Sequence, residues 1–557
     1  MKKIRTGRRV HKNEQGMVLV IVLILVSILI LIGSSNVMTS MTDLKISSNY
    51  RLGTQAFYAS EAGIEYGFTK LQEALQIINP TVNITAPAVS GYTFDTFSVA
   101  AVGTQQLGVI GGTYEGLTAY VTDYQITSKA RVNGTSASAR IDLMVKDNLI
   151  PIFQFGIFYQ NDLEILPGAN MIFTGGRIHS NHSIYLNADG GTCSIDSKIT
   201  SAGDILHAHK DSRSYSTGTV NIKDQNGAYQ SMNIDSNSAN WANDATTRWG
   251  GRVQSEDMGV KPLNVPTTTG NPRDLISSTG SGSMYAQAGL RIIDGSAQDK
   301  NGNAVDIRYY DPNYKNTNGT LKIDAGGTAA KNVNPLATKS FTDKRENKVV
   351  TVTEIDIGKL QSSSTAMSAL NNPPSGSDAG ILYVNQTDNS KSVRLTNGAS
   401  TPSSGLTVAS NNPVYIKGDY NTAGNPASVL GDAVTVLSNS WNDANSGTSN
   451  LNDRTASSTT VRAGFMTGGP ESSGSQYSGG AENYMRMLEN WSGMTLTYSG
   501  SLVQLWASNQ ATGSWVYGSP YYTAPTRNWS YGIDPAHLPP GTPRVRGVDK
   551  YTWRQNM

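Results

Sequence analysis

EQGMVLVIVLILVSILILIG, residues 14–33, decides how the rest of the chain is read. From Met17 to Ile32 every position is apolar except Ser27. As a helix rising ~1.5 Å per residue the run spans roughly 24 Å, just short of the ~30 Å hydrocarbon core of a bilayer. Continuation through Gly33 to Met38 completes the crossing. Residues 1–16 carry Lys2, Lys3, Arg5, Arg8, Arg9 and Lys12 against a single acid, Glu14. The positive-inside rule keeps such a leader cytoplasmic and places everything after about residue 40 on the far side. A cleaved secretory signal closes its apolar region with a small-x-small site. Here the run passes into Val37-Met38-Thr39 without one, so it is expected to stay in the mature protein.

Beyond the run, apolar and small residues recur at helical spacing through Val37, Met41, Leu44, Ser48, Leu52, Ala56, Ala59, Gly63 and Tyr66, and the first proline is Pro80. The spacing predicts one helix over 17–79, with a weak point at Gly33-Ser34-Ser35-Asn36, where intrinsic propensity is poor. The stretch QAFYASEAGIEYG, residues 55–67, sets small residues among aromatics, which lets helices approach closely.

These residues resemble the N-terminal region of PilX-type minor pilins of the type IV pilus: a basic leader ending in Gly, a Met opening a continuous apolar helix, then A-x-x-A-x-E-A-G from Ala56 to Gly63. The resemblance covers about residues 12–79. It implies cleavage between Gly16 and Met17 by a prepilin peptidase, methylation of the new Met17 amine, and a helix that leaves the inner membrane to pack among other pilins, with Ile21, Ala56, Ala59, Glu61, Ala62 and Gly63 as the fibre-packing residues. Major pilins carry Glu at the fifth mature position, where it neutralises a neighbour's terminal amine. The fifth residue after Gly16 is Ile21, and a buried unpaired charge is costly. A subunit lacking that acid fits an end of a fibre better than its shaft, and the bulk hung on this helix argues the same way. The resemblance leaves open a pseudopilin of a type II secretion machine, and the residues leave open a plain anchor for a polysaccharide-binding β domain.

The 557-residue chain has room for several units and is rich in turn formers, with 56 Gly and only 15% charged residues, the profile of a β protein. The fold class expected is α+β: the helix, a small antiparallel head over 80–150, then a mainly β region. In the head, 120–126 and 139–145 read as strands joined at an Asn133-Gly134 turn. Short apolar strands punctuated by Gly, Asn or Asp, such as LEILPGAN, MIFTGG and SIYLNADGG, suggest a right-handed parallel β-helix over 151–235 and 401–510, similar to bactofilin-like coils, with a β-sandwich as the alternative. Residues 236–400 read as a loop-rich insertion carried by the coils, with islands of structure at LRIIDG, VDIRYY and NKVVTVTEIDIGKL. The aromatic and proline-rich 511–557 reads as extended chain over the β domain, or as exposed rings meeting a sugar or partner surface.

The net charge of +2 is concentrated in the leader, leaving a slightly acidic remainder with no basic stripe, so nucleic acid is not an expected partner. The lone Cys193 excludes an internal disulfide and reads as a buried thiol. Four of the six histidines fall close together, His179 and His182 in HSNH and His207 and His209 in HAH. If adjacent coils juxtapose them, with Asp204, they make a zinc site; otherwise they are loop histidines. Asp299, Asn301 and Asn303 are spaced like the first ligands of a calcium loop, but Ala304 replaces the expected Gly, and a hairpin turn explains them equally well. No catalytic motif stands out, so the expectation is a non-enzymatic protein without a required cofactor.

Overall fold

A computed structural model describes residues 15–211, 218–311, 315, 318–320 and 333–556 of the chain. Of the expected leader only Gln15 and Gly16 fall among them. One unbroken helix, α1 (Gln15–Ala74), runs through the weak point at residues 33–36. It ends five residues earlier than the spacing predicts: Leu75 donates to Leu71 O and Gln76 to Glu73 O in a closing turn, and by Ile77 the chain has left the helix to pair with Thr267. The left-handed Asn79, at φ 53°, and Pro80 follow.

The second half of α1 lies on a four-stranded antiparallel sheet. Its strands are β1 (Tyr92–Val109), β2 (Thr118–Val132), β3 (Ser138–Pro151) and, outside β3, the C-terminal strand Arg544–Asn556. Alternate residues of a strand share one face, so Tyr124 and Ile126 of β2 and Ile141, Leu143 and Val145 of β3 meet Ile64, Phe68 and Leu71 of α1, and Leu75 just beyond it, in one core. Each such side chain contributes roughly 1.5–3 kcal/mol on burial. The turn expected at Asn133-Gly134 is a longer loop, residues 133–137, with Gly134 at φ 75°. The end of the chain was expected to wrap over the β domain; its last thirteen described residues instead complete this head.

After the head the chain enters a stack of parallel coils. Phe155–Tyr159, Arg177–Ser180 and Ile199–Ser201 lie side by side, with Ile157 opposite Ile178 and Ile178 opposite Ile199. On a second side Leu163 aligns with Ile184 and Ile184 with Ile205; on a third, Met171 aligns with Cys193 and Cys193 with Val220. The sequence therefore repeats every 21 residues along the first two sides, as Ile157-x5-Leu163, Ile178-x5-Ile184 and Ile199-x5-Ile205. The helix Trp241–Trp249 buries Trp241 and Trp249 in the same core as Val253, the last rung.

The later strands extend the same ladder from its other side. Ile381–Asn385, Leu406–Ala409, Ala427–Gly431, Thr459–Gly469 and Thr495–Ala507 follow one another in parallel, and the last pairs with Phe155–Tyr159, setting Leu502 opposite Ile157. Read along the ladder, the later half of the chain precedes the earlier half. A second ladder pairs Lys348–Asp356, Lys391–Thr396, Val414–Lys417 and Val434–Leu437, again parallel. A sandwich needs antiparallel sheets face to face, and these stacked strands are not that. Antiparallel partners in this body occur at Tyr229–Ser231, Ser296–Asp299 and Leu336–Asp343.

The described residues of 236–400, read as a loop-rich insertion with islands of structure, supply working parts of the body. Lys348–Asp356, Ile381–Asn385 and Lys391–Thr396 are rungs. The segment 255–289 returns from one end of the stack to the other across the outer face of the long sheet. There Leu263, Val265, Leu275, Ile276 and Met284 cover Phe155, Phe158, Tyr383, Leu430, Met466 and Val503. The sheet is thus buried on both faces, as parallel sheets generally are. Low apolar density hid this, because a covering strap needs only a few anchoring side chains.

Candidate functional site

The two halves of α1 face different surroundings. From Met17 to Tyr50 its large apolar side chains are bare, and it is long and apolar enough to cross a membrane. Met17 and Ile21 are both exposed. The bare surface continues beyond the apolar run: Met38 is 71%, Leu44 70% and Tyr50 79% exposed. From Ala56 onward the helix is seated on its own head.

That seating corrects the expected packing face. Ala56, Ala59 and Gly63 are buried within the molecule, facing the head rather than a neighbour. A Cβ on Gly63 would stand 2.3 Å from Ser128 Oγ and 2.6 Å from Phe94 Cε1. Ser60, between them, donates to Ala139 O at 2.7 Å and accepts from Ala130 N at 2.9 Å, tying the helix to β2 and β3. The small residues are there because the sheet comes this close, through its backbone at Ser60 and through the side chains of Ser128 and Phe94 at Gly63. Ala62 points outward and Glu61 is partly exposed. Glu65, one turn on, pairs with Lys550 of the C-terminal strand at 2.6 Å.

The end of α1 has no basic residue in its last turn, though a cation is favourable at a helix C-terminus. Arg546 supplies one from the C-terminal strand. Its Nη1 donates to Leu75 O and, at 3.4 Å, to Ile77 O, while its Nε lies 2.8 Å from the carboxylate of Asp147 on β3. Its backbone exchanges hydrogen bonds with Asn264 of the returning segment, at 2.7 and 3.2 Å. Helix, head and coil stack are joined at this one residue. Sequence reading passed over it, since an arginine in a proline-rich tail gives no local signal of what it meets.

The histidines are not brought together. A period of 21 places Thr200, not a histidine, beside His179. His179 is fully buried, Nδ1 3.0 Å from Thr200 Oγ1 and Nε2 2.9 Å from Asn181 Oδ1, and burial pulls its pKa down to about 4. His182 is exposed on the following turn. His207 and His209 follow a strand of the second side, Ile205–Leu206, and His209 Nε2 sits 2.8 Å from Asn187 Nδ2. Asp204 accompanies neither pair into a cluster: among the described residues no group of three or more His, Cys, Asp or Glu is placed to hold a metal ion. The calcium-like spacing is a turn closed on itself. Asp299 accepts from the backbone of Asn301 and Asn303 at 2.8 and 2.9 Å and from Asn303 Nδ2 at 3.0 Å, bonds that hold its carboxyl below the usual range. Cys193 is buried in the coil core, and burial pushes its thiol up.

Residues 15–65 match the family described as PilX N-terminal. No curated protein matches the chain. Among solved structures, the competence-associated pilin ComZ from Thermus thermophilus aligns over 91% of this chain and 97% of its own, at 13% identity and a TM-score of 0.25. So low a score carries no argument about fold. The family match stands on the helix, and it spans the passage from the bare half to the seated half.

Proposed function

We propose that the chain is a pilin-like subunit of a type IV pilus, and more narrowly a minor pilin that starts or caps the fibre. In this reading the leader is cut between Gly16 and Met17 by prepilin peptidase, and the Met17 amine is methylated. Before assembly α1 holds the protein in the inner membrane as a single pass with its bulk on the far side; afterwards the β body is displayed at the fibre's tip for adhesion or partner contact. The stacked coils fit a parallel β-helix serving as that displayed body. The reading assigns the chain no catalytic chemistry, resident metal or cofactor.

One observation carries the reading. The projecting part of α1 from Met17 to Arg51 is about 50 Å long at the standard helical rise, and a bilayer core covers only ~30 Å of it. Met41, Leu44, Ile46 and Tyr50 therefore stay bare beyond the lipid. A plain anchor gains nothing from an apolar stalk in water, whereas a helix packed among other helices buries it. The match to the PilX N-terminal family supports the same reading.

The test is the mature N-terminus, determined by peptide sequencing in cells with and without prepilin peptidase. A chain beginning at Met17 only when the peptidase is present is expected. A leader retained in both strains overturns the proposal.

A further inference from the structure

A cleft of ≈ 440 Å³ opens where α1, the head and the coil stack meet. That is within the usual size of small-molecule sites, which favour such junctions. Its walls come from five parts of the chain: Gln72 in the last turn of α1 and Gln76 just past it, the β1–β2 connection from Ile110 to Tyr114, Asn148 on β3, Lys261 to Asn264 on the returning segment, and Arg546 to Asp549 on the C-terminal strand.

The strong charge in its wall is already engaged, because Arg546 is committed to Asp147 and to the carbonyls at the end of α1. Four carboxamides, Gln72, Gln76, Asn148 and Asn264, are among the polar side chains that line the space. Asn148 is the informative one. It is 7% exposed, its Nδ2 donates to Asp549 Oδ2 at 3.3 Å, and its Oδ1 has no hydrogen-bond partner. A buried polar atom left unpaired costs about 1–3 kcal/mol, and because Oδ1 is itself covered, a ligand's donor removes that cost once the side chain turns toward the cleft.

We propose that this cleft binds a neutral, polyhydroxylated ligand, a saccharide of one or two rings. A carboxamide offers a donor and an acceptor side by side, matching adjacent hydroxyls that both give and take hydrogen bonds. Pro262 and Val548, backed by the buried Leu75, Ile110 and Leu263, supply the apolar surface on which the C–H face of a sugar ring rests. Lys261 and Asp549, both exposed, flank the cleft with opposite charges, so it selects for neither sign. The proposal does not depend on fibre assembly.

Gly111 gives a clean test. It lines the cleft with an extended backbone, φ −104°, and nothing lies within 4 Å of where its Cβ would stand, so a side chain there fills the space without strain. The full chain, in a zwitterionic detergent without a sugar headgroup, is titrated by saturation-transfer NMR with glucose, galactose, N-acetylglucosamine, cellobiose, lactose and chitobiose. At least one is expected to bind with a dissociation constant of about 10 mM or tighter. Gly111→Phe is expected to weaken it tenfold or more with the melting temperature unchanged, and Asn148→Ala to weaken it severalfold. The proposal is overturned by no binding of any probe at about 50 mM, or by binding that both variants leave unchanged. Should Gly111→Phe not fold, Asn148→Ala alone decides in the same way.

Discussion

The two halves of α1 are built from similar residues and do different things. Gly33 and Gly63 both sit mid-helix, yet no atom lies within 4 Å of a Cβ built on the first, while Ser128 and Phe94 lie against one built on the second. Over residues 17–32 of the bare half composition is constrained only to be apolar; in the seated half each small residue answers to a particular strand. A stripe of small residues on a helix thus says that something approaches closely, without saying whether it is a neighbour or the protein's own sheet.

The sharpest way to break the contrast is Arg546→Ala, which removes the cation at the end of α1 and leaves Asp147 buried without its partner. Loss of one member of a buried pair costs about 3–5 kcal/mol. A drop of that size in unfolding free energy, followed by near-UV circular dichroism of the detergent-solubilised chain, is expected. A change under about 1 kcal/mol would mean that the helix is seated without it.

A pH titration separates the same regions. Met17 to Thr42 carries no ionisable side chain, so pH should act on the body alone. There Glu482 is buried, accepting from Tyr477 Oη at 2.7 Å and Leu166 N at 3.2 Å, and burial raises its pKa from 4.5 to about 7. The folded state then holds a proton that the unfolded state has released. This contribution is fully present below about pH 4.5 and is lost as pH rises through 7. Glu482→Gln should be more stable than the parent at pH 8 by on the order of 2–3 kcal/mol and nearly equal to it at pH 4.5. Parallel stability curves for the two proteins would refute the assignment.

Gly63→Ala and Gly33→Ala sharpen the comparison with one chemical change at two places. The first should destabilise the head by about 1–3 kcal/mol through overpacking. The second should stabilise the helix by about 0.5–1 kcal/mol, since alanine is the better helix former. Opposite signs in thermal unfolding are the expected result, and equal signs would erase the distinction.

Legibility in the sequence follows the range of the forces. The apolar run and its helix were plain, because a 3.6-residue period is local. The strands of β2 and β3 were visible through alternation. The 21-residue repeat is also present in the sequence, at Ile157, Ile178 and Ile199, but only three turns keep it before longer loops intervene. Neglecting it made the histidines seem neighbours, when counting 21 from His179 gives Thr200. Two things had no local signal at all. Parallel rungs do not declare their partners, so the reversed order of the two halves could not be read. Nor could Arg546, whose contacts lie at the end of α1, on β3 and on the returning segment.

That reversed order governs when the molecule can become itself. The first rung, at Ile157, is made early, yet the neighbour that covers one of its sides, at Leu502, arrives only near the end of the chain, and the outermost strand of the head arrives later still. Contacts so distant along the chain slow folding. Until the last sixty residues emerge, the early coils present an uncovered apolar end and an unpaired strand edge, the two features most prone to aggregate. A truncated chain is therefore expected to be a substrate for chaperones and proteases rather than a shorter version of the protein, and the stalk on which it hangs will be finished long before there is a folded body to carry.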